Sequence, residues 1–249
     1  MSGHSKWASI KHKKGALDKK RGKLFAKLIK QVEVAARQGG GDVAANATLR
    51  TMVQKARDAS VPNETIERAI KRGTGELEGI HYESITYEGY APHGVAVYIE
   101  VLTDNRNRTS GEIRSIFTKN GGALSEPGAV AWQFARTGLL YVPKSVDEDD
   151  LMLVAVEAGA DDVIDDGESW RVICAPTLLP AVRDALDAAR IPVDSADVTF
   201  LSSTSVSLET PEAARSVLKL IDLLDDHDDV DGVYSNFDIT DELMQAVDA

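Results

Sequence analysis

RTGLLYVPKSVDEDDLMLVAVEAGADDVIDDGESWRVICAPTLLPAVRDALDAARIPVDSADVTFLS, residues 136–202, decides the fold. Its apolar runs at 139–142, 162–165, 169–174 and 196–201 read as strands. Between them, 146–158 and 178–189 carry apolar residues at helical spacing. The acids Asp147, Glu148, Asp149 and Asp150 at the start of the first helix suit the positive end of its dipole. The order strand, helix, strand, strand, helix, strand is that of a ferredoxin-like sandwich.

The flanks of this unit complete each other. After it come a strand at 205–208, a helix at 211–224 and a strand at 232–237, a set with no local partner. Before it, strands at 84–90 and 95–102 flank the turn Ala91-Pro-His-Gly94. A polar loop, Thr103-Asp-Asn-Arg-Asn-Arg-Thr109, leads into a helix bearing Ile113, Ile116 and Phe117, with Thr109 and Glu112 spaced as a capping box. Asn120-Gly-Gly122 ends that helix, and 129–134 reads as a further strand. The two broken sets form one α/β domain if 135–203 is inserted into it, and the closeness of a compact unit's ends permits insertion.

Ahead of Gly73-Thr-Gly75 the pattern is helical. Leu24, Leu28 and Val32 with Phe25, Ile29 and Ala36 make one apolar stripe from about residue 17, stopped by Gly39-Gly-Gly41. A second helix carries Leu49, Met52, Val53 and Ala56. The third opens with Asn63 as N-cap and runs to Gly73. The expected fold class is α+β, with an N-terminal three-helix domain (1–75) followed by two α/β sandwich domains. One is split (80–134 plus 204–240), and the other is ferredoxin-like and inserted into it (135–203).

Charge divides the chain in the same place. Residues 1–75 hold 17 Lys+Arg against 6 Asp+Glu, a net of +11, whereas the whole chain carries −12. Nine lysines and one arginine lie between Gly3 and Lys30 against the single acid Asp18. A basic head on an acidic body points to a polyanionic partner. Lys6, Lys11, Lys13, Lys14, Lys19, Lys20, Arg21, Lys23 and Lys27 would meet phosphates and release counterions, while Trp7 and His12 could stack on unpaired bases. A solvated basic tail is the competing reading. Arg106 and Arg108, beside a helix N-terminus, are either a second anion contact or surface arginines on a capped helix.

Other chemistry finds no support in the residues. No apolar run approaches the roughly 18–20 residues of a membrane span, and the N-terminus lacks a signal peptide's apolar core. Cys174 is solitary and reads as a small buried hydrophobe. The five histidines show no zinc spacing. The acidic run 226–232 resembles a calcium loop, but His227 falls at the first ligand position and Asp238, not Glu, at the twelfth. No phosphate loop, dinucleotide fingerprint or nucleophile elbow occurs. No catalytic residue, metal site or cofactor is expected.

Several stretches resemble the YebC/PmpR family. They include Met1-Ser-Gly-His-Ser-Lys-Trp7, Lys11-His-Lys-Lys14, Lys20-Arg-Gly-Lys23, Gly39-Gly-Gly-Asp42, Glu88-Gly-Tyr90, Thr103-Asp-Asn-Arg-Asn-Arg-Thr109 and Asn120-Gly-Gly122. Asn63 stands where the family carries an acid, and His93 where it often has a small residue. The resemblance implies a helical domain, two α/β domains and a cytoplasmic, non-enzymatic regulator without a membrane partner, a monomer or weak homodimer. Family members are described both as DNA-binding transcriptional regulators and as translation factors acting on ribosomes stalled at proline runs. The partner implied is therefore nucleic acid, as DNA or as rRNA or tRNA on the ribosome.

Overall fold

The computed structural model describes residues 21–248. They form two compact units, Trp132–Ser205 and the residues on either side of it, 21–131 with 206–248. The fold class is the expected one.

The unit Trp132–Ser205 contains β4 (Phe134–Pro143), α5 (Glu148–Glu157), β5 (Ala160–Asp165), β6 (Ser169–Cys174), α6 (Leu179–Ala188) and β7 (Ser195–Ser202). Its sheet runs β5-β6-β4-β7 with every neighbour antiparallel, the ferredoxin-like order. Alternation sends Leu140, Val142 and Val172 under the helices, where they meet Leu151, Val182 and Leu186. Leu139, Tyr141, Ile173 and Leu201 form a smaller cluster on the opposite face. The side chain of Asp147 caps α5 by accepting from the Asp149 and Asp150 amides.

The second unit begins with α1 (Arg21–Gly39), α2 (Ala47–Asp58) and α3 (Asn63–Gly73). Leu28, Val32 and Ala36 pack against Leu49, Val53, Ala56, Ile66 and Ala69. Each large side chain buried this way stabilises by roughly 1.5–3 kcal/mol. α1 and α3 approach closely because Gly73 has no side chain: a Cβ there would strike the Glu33 carbonyl and lie 2.7 Å from the Ala36 Cβ. The buried Glu33 carboxylate accepts from Arg72 Nε at 3.0 Å and Arg37 Nη2 at 3.2 Å, tying the two helices again. Asn63 is the first helical residue of α3 and not its cap; Pro62 holds that position without a side-chain hydrogen bond.

The chain then enters β1 (Glu83–Tyr90), β2 (Ala96–Thr103), α4 (Arg106–Lys119) and β3 (Ala123–Ser125). It returns after the other unit as β8 (Val206–Ser207), α7 (Pro211–Asp225), β9 (Val230–Ser235), β10 (Phe237–Asp238) and α8 (Asp241–Asp248). The sheet order β3-β1-β2-β9 joins strands from both sides of residues 132–205. β8 and β10 pair separately, in parallel. Ile99, Val101, Ile113, Phe117, Leu220, Ile221 and Leu224 are fully buried. Gly89 leaves room for the Phe117 ring, whose Cε1 would lie 2.8 Å from an added Cβ.

The strand expected at 129–134 is absent. A single 3-10 turn, Ala131–Gln133, leads instead into β4, which begins at Phe134. The cause is Glu88: its buried carboxylate accepts from the amides of Gly128 (2.7 Å), Val130 (2.7 Å) and Ala131 (2.8 Å), so these groups cannot join a ladder. Burial pushes the Glu88 carboxyl up, but the three amides outweigh it and hold it below the usual range. We expect Glu88→Gln to cost about 1–3 kcal/mol in chemical denaturation. The wild-type advantage should be present above the unfolded carboxylate range and fade as pH falls through the lower folded pKa.

Candidate nucleic-acid interface

The basic residues that the structure describes begin with α1, where Arg21 opens the helix. Lys23, Lys27, Lys30 and Gln31 recur at helical spacing and so share one side of it. That side lies along loop 225–231, which follows α7 and carries five aspartates. Lys27 Nζ donates to the Asp225 carbonyl at 2.7 Å, Lys23 Nζ to that of Asp226 at 2.8 Å and Lys30 Nζ to that of Asp228 at 3.0 Å. Gln31 Nε2 donates to the Asp231 carboxylate at 2.7 Å. The Asp225 and Asp226 carbonyls stand at the negative end of the α7 dipole, so ammonium groups belong there. Lysines from one helix thus cap another that lies some 200 residues away in sequence.

Asp229 is the deepest point of this contact, only 6% exposed. Its Oδ2 accepts from Arg108 Nη2 at 2.6 Å, Thr109 Oγ1 at 2.8 Å and Thr103 Oγ1 at 3.1 Å, and its Oδ1 from Lys30 at 3.3 Å. Three segments therefore converge on one carboxylate: α1, the β2–α4 junction and the loop after α7. Burial alone would raise its pKa, but Arg108, Thr109 and Lys30 outweigh burial and bring it down to about 2. Lys30 also sits 5.4 Å from the centre of the Tyr82 ring. Around the hub is an open cleft of about 970 Å³, lined by Lys23, Tyr82, Gly111, Ser115 and Asp228 among others.

The loop Thr103–Thr109 does not do what its spacing suggests. Asn105 caps α4, its side chain accepting from the Arg108 amide at 3.1 Å, and Thr109 lies buried within the first turn. The Thr109–Glu112 capping box is not formed. Arg108 turns back to Asp229 and to Asp104 at 2.9 Å, so its Nη2 is already occupied by carboxylates, which hold its pKa up. Arg106 and Arg108 therefore stand in different surroundings. Arg106 is exposed on the first turn, while Arg108 is part of the hub. Of the other expected contacts, Lys23 and Lys27 are held against the loop. Lys6, Trp7, Lys11, His12, Lys13, Lys14, Lys19 and Lys20 lie outside the described residues.

Glu112, His227 and Asp229 bring donor atoms within 4.8 Å of one another, a grouping hidden by the sequence separation of 115 between Glu112 and His227. The site does not suit a cation. Asp229 is saturated by donors, and Lys30 and Arg108 would face the ion at close range. His227 Nδ1 accepts from the Asp229 amide at 3.1 Å, which places the neutral ring's proton on Nε2, 2.9 Å from Glu112. The ring therefore braces the loop.

Asp229→Asn should remove stability on the order of 2 kcal/mol at neutral pH, since a depression of nearly two pKa units is worth about that. The folded pKa is depressed, so the wild-type advantage should be complete above roughly pH 4 and lost as pH falls towards 2. Denaturant midpoints across that range should converge for the two proteins.

Residues 5–76 match the TACO1/YebC protein N-terminal domain, and residues 82–237 match the TACO1/YebC second and third domain. A protein from Halothermothrix orenii named "Probable transcriptional regulatory protein" is 53% identical over 250 residues, covering 99% of both chains. One of the same name from Corynebacterium aurimucosum is 55% identical over 246 residues, covering 98% of both. The crystal structure of a conserved hypothetical protein from Aquifex aeolicus superposes with a TM-score of 0.85 at 45% identity, covering 97% of this chain and 100% of that one. Matched by family along nearly its whole length and by half-identical relatives of the same size, the chain belongs to the TACO1/YebC family.

Proposed function

We propose that this protein is a non-enzymatic regulator of gene expression that binds RNA on the ribosome through its basic N-terminal segment and relieves stalling at proline-rich sequences. The observation that carries the reading is the ten basic residues against one acid between Gly3 and Lys30, on a chain whose net charge is −12. Counterion release makes such a segment a strong, salt-sensitive binder of phosphate backbones. Trp7 and His12 add flat faces for unpaired bases, which favours single-stranded RNA over a duplex. Lys6, Lys11, Lys13, Lys14, Lys19, Lys20, Arg21, Lys23 and Lys27 form the backbone-contacting set, with Arg106 as an outlying contact. In this reading 1–75 supplies the charge, while the split domain (80–134 plus 204–240) and the inserted domain (135–203) fix its presentation. The protein works in the cytoplasm as a monomer or weak homodimer; among the described residues, no helix is long and apolar enough to cross a membrane.

A second reading, a sequence-specific DNA-binding transcriptional regulator, is favoured by the names of the relatives. It requires a reader for base edges in a groove, beyond the phosphate contacts that a basic segment supplies.

Two measurements test the proposal. Deleting residues 1–14 removes Lys6, Lys11, Lys13 and Lys14, so RNA affinity should fall and the slope of log K against log salt should flatten by about 3. An unchanged slope would remove the basic segment from the site. Ribosome profiling of a deletion strain should show new pauses at proline codons. Unchanged pausing, with at least roughly a thousandfold preference for one DNA site over random duplex, would establish the second reading instead.

A further inference from the structure

Lys23, Lys27 and Lys30 follow one another at four and three residues, which sets them about 4.5–6 Å apart along the axis of α1. Each already holds an oxygen of loop 225–231, through the carbonyls of Asp226, Asp225 and Asp228. Carboxylates stand behind those carbonyls: Asp228 lies 3.7 Å from Lys23, and Asp229 lies 3.3 Å from Lys30. A row of negatively polarised oxygens facing a row of lysines is what a phosphate backbone would present. The loop is also costly in isolation. Five aspartates are placed at the C-terminal end of α7, where the helix dipole disfavours acids. The lysines of α1 offset that repulsion, so the two charge sets are matched to each other.

We infer that the lysine row of α1 is a phosphate-binding surface that loop 225–231 occupies as an internal substitute for a nucleic-acid strand, so that a bound strand must displace the loop from Lys23 and Lys27. The inference rests on the proposed reading of function. The exchange is graded by burial. Lys23 and Asp228 form the outer rim, with side chains 52% and 81% exposed, and water already weakens their attraction. Lys30 is 19% exposed and bound to the buried Asp229, so it stays in place and anchors the helix. Lys23 and Lys27 are the groups that change partner. The loop therefore lowers affinity for any polyanion too weak to release them and confines tight binding to a strand that engages the tail as well.

The test uses the full chain with Asp225→Asn, Asp226→Asn and Asp228→Asn together. A charge-matched control, Glu148→Gln, Glu157→Gln and Asp187→Asn, lies in the unit Trp132–Ser205. The probes are a 20-nucleotide single-stranded oligouridine and a DNA duplex of equal length. The loop variant should bind oligouridine about tenfold more tightly than the control, with a salt slope steeper by about 1.4 for two added lysine contacts. Adding Lys23→Gln and Lys27→Gln to it should abolish the gain. Equal affinities for loop variant and control would overturn the inference and leave the function standing. A gain confined to the duplex would also overturn it, because the surface would then serve DNA. If the triple variant does not fold, Asp228→Asn alone must still give a gain of two- to threefold, and an unchanged affinity counts against the inference. Failure of every protein to bind either probe would remove the functional reading itself.

Discussion

One carboxylate holds the unit of residues 21–131 and 206–248 together. Asp229 gathers a lysine from α1, an arginine and two threonines from the β2–α4 junction, and through its backbone the end of β2, where the Leu102 amide donates to its carbonyl at 2.9 Å. Remove that charge and two cations and two hydroxyls lose their common acceptor, a loss on the order of the 2 kcal/mol expected for Asp229→Asn. The helical bundle has a core of its own, but it is small, and its orientation on the sheet depends on polar contacts at one helix face. The same face carries the charge that the functional reading needs.

This dual use explains a feature that charge counting alone misreads. A chain with a net of +11 in its first 75 residues looks as though it offers all of that charge to a partner. Part of it is spent inside the molecule: Lys27 and Lys30 lie against the loop, and Arg37 and Arg72 are paired with the buried Glu33. Interactions between exposed charges are weak and salt-dependent, so an interface built this way is adjustable, whereas the Asp229 hub behind it is not.

Much of the architecture was legible because period and order are local properties. The ferredoxin-like order of 136–202 followed from four apolar runs and two helical stretches, and Leu140, Val142, Leu151 and Val182 entered the core as alternation and spacing require. The insertion was legible because 205–237 had no local partner. What failed were local readings overridden from a distance. Val130 and Ala131 read as strand residues, but Glu88, some forty positions earlier, takes their amides. Thr109 read as a cap, but Asn105 fills that role and Thr109 turns to Asp229, 120 residues away. The acidic run 226–232 does not align with a calcium loop. A signal was present all the same, since acids crowded at a helix C-terminus oppose its dipole and call for cations from elsewhere.

The central claim is that loop 225–231 and a nucleic-acid strand compete for the same lysines. Hydrogen exchange of the full-length protein, with and without saturating single-stranded RNA, addresses it most directly. The amides of Asp226 and His227 are hydrogen-bonded to the Asp222 and Leu224 carbonyls, so they report whether the outer part of the loop keeps its present form. These amides should lose protection when RNA binds, while the paired sheet strands β1 and β2 keep theirs. Loop amides that stay as protected, or become more so, with RNA bound would contradict it.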